Sequence, residues 1–138
     1  MKRILLYILV AVCLVGNSSC KKAIDKEKEN IVLNLMTSGR WYLEKITEQG
    51  FDITSDYAGY EFQFYKNNTL DAIKNNVVQS VNWSGTLSSL TFTSNFPGAG
   101  DPLDRLNHLW TIKDYYIDLV FAEADSPNGV ITIRFRKK

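Results

Sequence analysis

From Gly39 to the end of the chain the apolar residues recur at every second position, the period of strands with one buried face. Tyr60, Phe62 and Phe64 alternate with Glu61, Gln63 and Tyr65, and Val77, Gln79, Val81 and Trp83 share one face of the following segment. Further segments place Trp41, Leu43 and Lys45 together, then Leu90 and Phe92, then His108, Trp110 and Ile112. Ile117, Leu119 and Phe121 form the expected inner set of the next strand, and Ile131, Ile133 and Phe135 that of the last. With "TLDAIK" these make eight strands, punctuated by the turn signals Lys66-Asn67-Asn68, Asn75-Asn76 and Asp114-Tyr115.

Eight short strands at even spacing predict an all-β, eight-stranded antiparallel up-and-down barrel, because closure removes the two edges that an open sheet exposes. An Ig-like β-sandwich is the alternative that periodicity leaves open. Ahead of the strands, Ile31, Leu35, Val32 and Met36 fall on one helical face between Asn30, a possible cap, and Gly39, a stop, so a short helix of two turns is expected. Residues 21 to 30, "KKAIDKEKEN", alternate in charge and carry almost nothing apolar, as a solvated tether would.

The leading segment follows a different rule. Lys2-Arg3, an apolar run from Ile4 to Val15 and the small or polar Gly16 to Ser19 have the order of an export signal. Twelve apolar residues make roughly 18 Å of helix, too little for a hydrocarbon layer about 30 Å thick. Cys20 follows at once. The second cysteine, Cys13, lies inside the apolar run, so a processed chain would hold no partner for a disulfide. The formal charge is +1, and losing Lys2 and Arg3 with the leader makes it −1, a body with no electrostatic reason to seek nucleic acid.

Two resemblances follow from these residues. The run ending in Ser19-Cys20-Lys21-Lys22 resembles a bacterial lipoprotein signal, with Asn17 and Ser18 departing from the strict pattern. It implies removal of residues 1–19, palmitate-type acylation at Cys20, and a place on the outer membrane at its periplasmic or cell-surface face. Gly39-Arg40-Trp41 resembles the Gly-x-Trp that opens the first strand of the lipocalins, and Lys113-Asp114-Tyr115 resembles their Thr-Asp-Tyr turn. Over residues 31–138 the chain is most similar to the lipocalin-like lipoproteins of the Bacteroidota. This implies that Trp41 closes the barrel floor and that Arg134 or Arg136 packs over it as a cation. The chain thus divides into a leader (1–19), a lipidated cysteine with its tether (20–30) and a lipocalin-like barrel (31–138).

Chemistry is sparse. The one histidine, His108, sits in a strand beside Trp110 and is expected to be structural, so histidine-based nucleophilic catalysis has little support. The acid pairs Asp101/Asp104 and Glu123/Asp125 read as solvated loop residues, and "PGAGDP" lacks the lysine of a phosphate loop. No enzyme, cofactor or metal site is expected. Two long connections, residues 49–60 and 93–107, should share one end of the barrel. There Trp83, Trp110, Phe62, Phe64, Phe92, Phe96 and Phe121 would line a shallow pocket for a small hydrophobic or glycan ligand, above a largely filled interior. The alternative is an envelope accessory or protein-interaction module, with an exposed apolar patch at Phe51, Tyr57 and Phe96 and no small-molecule ligand.

Overall fold

The computed structural model describes residues 20–138, so the leader lies outside the described residues. Nine strands follow one helix: β1 (Trp41–Glu48), β2 (Phe51–Asp52), β3 (Glu61–Phe64), β4 (Thr69–Lys74), β5 (Val77–Thr86), β6 (Thr91–Asn95), β7 (Leu109–Tyr116), β8 (Leu119–Ser126) and β9 (Gly129–Lys137). Each pairs antiparallel with its successor from β3 to β9. The last strand returns to the first along seven residue pairs from Trp41↔Lys137 to Glu48↔Ile131, and Trp41↔Phe62 completes the ring. The result is a closed, eight-stranded antiparallel barrel, with β2 a two-residue flap on the rim of β1. That closure rules out the sandwich, whose two sheets would leave β1 and β9 unpaired.

Local chemistry explains the turns. Asn75 and Asn76 both adopt positive φ, 52° and 63°, the geometry a two-residue hairpin needs and that asparagine tolerates better than most residues. Gly39, at φ 90°, ends the helix where a side chain would be strained.

Three sequence expectations shift. The helix, α1, spans residues 20–36 rather than beginning at Asn30, so the charged, solvated stretch is itself helical and forms a stalk. Only its end docks, through Val32 and Met36, while residues 26–31 are exposed. Second, the β7–β8 hairpin turns at Ile117-Asp118, and Lys113-Asp114-Tyr115 lies inside β7. A bulge there leaves Lys113 without an opposite number, so Val120, Ala122 and Ala124 face inward while Phe121 is only half-buried on the outside and Ile117 is exposed. One residue of slip exchanges the two faces of a strand, which is why a misplaced turn inverted this one. Third, a bulge at Glu44 turns Ile46 inward and Lys45 outward, against strict alternation. Leu90, expected on the inner face beside Phe92, instead ends a 3-10 turn over Leu87–Ser89 in the left-handed conformation, at φ 58°.

Candidate functional site

Both ends of the barrel are capped, by different means. At the floor, Trp41 is 1% exposed and its indole N–H donates to the Met36 carbonyl at 2.9 Å, joining the helix end to the first strand. The cation over its ring is Lys137, with Nζ 5.0 Å from the centroid. Arg134 and Arg136, expected there, instead point outward: Arg136 pairs with Glu44 at 3.1 Å and Asp118 at 3.0 Å, and Arg134 lies 3.9 Å from Glu44. The reason is parity, since Ile133 and Phe135 occupy the inward positions of β9 and its even-numbered neighbours cannot.

At the mouth the two long connections do meet. The Tyr57 hydroxyl donates to the Pro102 carbonyl at 2.7 Å, and Arg105 bridges Asp101 at 2.9 Å and Asp56 at 3.4 Å. Burial pushes the Tyr57 phenol far above its usual value, so it stays a donor. Phe96, Leu103 and Leu106 fold down as a plug, each at most 3% exposed. Ser94 donates to the Leu106 carbonyl, and the Trp110 indole donates to the same oxygen at 3.2 Å. The apolar patch expected at Phe51, Tyr57 and Phe96 is therefore absent: of the three only Phe51 is exposed.

Between the caps the interior is solid. Phe64 makes edge-on contacts with Trp83, Phe92 and Phe135 at 5.3 to 6.1 Å, and Phe62 another with Phe135 at 5.5 Å. The indole of Trp83 donates to the Tyr65 carbonyl at 2.9 Å. Small residues, Ala72, Ala122 and Ala124, make room for the rings. The void left among Phe62, Phe92, Phe96, Trp110 and their neighbours is about 10 Å³. Ligand sites begin at about 300 Å³, so in this structure the proposed pocket residues are core. Of the seven, six are brought together in one aromatic core and Phe121 stands apart from it.

His108 packs edge-on against Trp110 at 5.5 Å, and Glu123 pairs with Lys113 at 3.3 Å. Among the described residues no group of three or more histidines, cysteines or acids is placed to hold a metal ion, and no helix is long and apolar enough to cross a membrane.

An apolar groove lies at the other end from the loops. Ile31 and Leu35 of α1 face Tyr115, Tyr116 and Ile117 of the β7–β8 hairpin across a groove of about 510 Å³, with Ser38 and Lys137 also lining it. Sequence reading missed this site because the hairpin tip was assigned inward. The signal that could have found it was the clustering of Tyr115, Tyr116 and Ile117 at a turn, where polar residues are the rule.

The salt links of the mouth give a pH prediction. The Arg105 guanidinium beside Asp101 holds its carboxyl below the ordinary 3.8. A carboxylate lowered by folding stabilises the closed lid above pH 3.8 and loses that contribution as pH falls through its lowered value. Amide protection of residues 96–107, followed by NMR, is expected to hold above pH 3.8 and to drop as the pH is lowered from there towards about 2, ahead of the barrel strands. Unchanged protection over that interval would refute the latch.

The molecule thus belongs to the class of small, filled, closed antiparallel barrels carried on an N-terminal helix. No protein-family model matches the chain, and no curated protein matches its sequence. Among solved structures it is similar to the crystal structure of a DUF4847 family protein from Bacteroides vulgatus, with a TM-score of 0.55 and 11% identity over 78% of this chain and 97% of that one. At that identity the likeness is one of fold.

Proposed function

We propose that the chain is a lipid-anchored, non-catalytic accessory module of a bacterial cell envelope, held on the outer membrane through acyl chains on Cys20, with a lipocalin-like barrel as a rigid body. The observation that carries this reading is the filled interior. A barrel whose void is about 10 Å³ and whose ends are both plugged works through its outer surface. The accessory reading therefore stands ahead of a ligand held at the mouth.

Supporting the anchor, Cys20 is exposed and without a disulfide at the head of a charged helix, so a lipid there would sit clear of the barrel. Two or more acyl chains give a stable attachment where one does not. A barrel of similar fold from a Bacteroides protein agrees with the resemblance to Bacteroidota lipoproteins.

The test is the intact mass of the full-length product expressed in a Gram-negative host, together with its partition between membrane and soluble fractions. The expected mass is that of residues 20–138 plus a diacylglyceryl group and an amide-linked acyl chain. Cys20→Ala should carry no lipid and leave the membrane pellet. An uncut leader with an unmodified thiol would end the anchor reading, and in-cell cross-linking that captured no envelope neighbour would end the accessory one.

A further inference from the structure

A mainly apolar hollow lies not at the mouth, where sequence reading placed a ligand, but beside the stalk. One wall is Ile31 and Leu35 on α1, the other Tyr115, Tyr116 and Ile117 at the hairpin. Ile117 is 84% exposed, Tyr116 59% and Ile31 51%. So much contiguous apolar surface on a small domain marks a contact site more often than an accident of folding. Its volume, about 510 Å³, falls within the range of roughly 300 to 1,000 Å³ occupied by small-molecule sites.

The groove carries one charge. Lys137 is half-buried at its edge, where Nζ donates to the Ser38 hydroxyl at 2.8 Å and rests over the Trp41 ring. Among the described residues this ammonium has no carboxylate within 4.0 Å. The neighbouring cations differ: Arg40 and Lys138 share Glu61, and Arg136 takes Glu44 and Asp118. An ammonium has three N–H donors and this one has a single neutral acceptor, so it is positioned by its surroundings yet uncompensated. The acid nearest the hairpin tip, Asp118, is already engaged by Arg136. An apolar trough with a fixed, unneutralised cation is complementary to a molecule with a greasy chain and one negative end.

We propose that this groove binds a single-chain anionic amphiphile, a long-chain carboxylate, with its hydrocarbon between Ile31, Leu35, Tyr116 and Ile117 and its headgroup on Lys137. Ile24, also exposed, lies seven residues before Ile31 on the same helical face, about 10 Å along the axis, and extends the apolar track beyond the hollow. A fully buried methylene is worth about fourfold in affinity, so a groove open along one side gives roughly twofold per carbon. The site is separate from the lipid on Cys20 and does not require it.

The experiment uses the full-length protein in nanodiscs of uncharged phospholipid, photolabelled with a diazirine-bearing dodecanoate and mapped by mass spectrometry. If the chain proves unacylated, the same labelling is run in free solution, so failure of the anchor and failure of the groove are told apart. Adducts are expected on the peptides carrying residues 31–36 and 115–117. Unlabelled dodecanoate should compete at least tenfold better than dodecanol, a comparison that needs no variant. Lys137→Gln should cut labelling about tenfold and Lys137→Arg restore it. Ile117→Asp should abolish it with the thermal transition unchanged. Adducts at residues 96–107 or scattered over the surface, equal competition by dodecanol, or full labelling of Lys137→Gln would each overturn the proposal.

Discussion

Replacing Trp41 with alanine is expected to lower the stability of the fold by about 3–5 kcal/mol, the usual cost of emptying a large buried aromatic site. Against a total of about 5–15 kcal/mol for a domain, such a loss leaves a chain that unfolds readily. Three links meet at this ring. It is 1% exposed, its N–H holds the Met36 carbonyl, and its face carries the Lys137 ammonium. Urea unfolding should show a lower midpoint at an unchanged slope. Trp41→Phe separates the terms, because it keeps most of the volume and loses the donor. Stranding the Met36 carbonyl should cost about 1–3 kcal/mol and loosen the end of α1 before the barrel. A loss below 1 kcal/mol in the alanine variant would show that the floor is not organised around this residue.

Phe96→Ala tests the other cap. Phe96 is fully buried and borders the same small void as Phe92 and Trp110, so truncation should cost about 3–5 kcal/mol and leave a hollow lined by aromatic and aliphatic carbon. An apolar hollow of that kind stays dry and accepts a small hydrocarbon. Benzene should therefore raise the melting temperature of the variant by a few degrees and leave the parent chain unaffected. If benzene shifts neither, the lid has settled into the gap, and the plug is softer than its contacts with Ser94, Asn107 and Pro102 suggest.

The two cases differ in how far they could be read in advance. Trp41 was legible as a floor residue through the resemblance of Gly39-Arg40-Trp41 to the Gly-x-Trp that opens the first strand of the lipocalins. Phe96 sits in a segment with no periodicity, and nothing local shows whether such a phenylalanine faces water, a ligand or a core. Its burial depends on Tyr57, nearly forty residues earlier, being close enough to hold Pro102. The cation over Trp41 is a similar case. Any basic residue near the chain end fits the pattern, and the choice of Lys137 over Arg134 and Arg136 was made by the inward placement of Ile133 and Phe135.

Neighbouring residues alone were enough to read the number and order of the eight barrel strands, their closure as the favoured solution, the stop at Gly39 and the turn at Asn75-Asn76, and the inward placement of Phe62, Phe64, Phe92, Trp110, Ile131, Ile133 and Phe135. These follow from short-range rules, in which alternation and turn chemistry are written into neighbouring residues. The three-dimensional fold alone decided the two bulges, the outward turn of Phe121, the filling of the mouth and the groove beside the stalk. Each depends on register between distant segments, and a one-residue shift in register is invisible in composition yet moves every side chain of a strand to its opposite face.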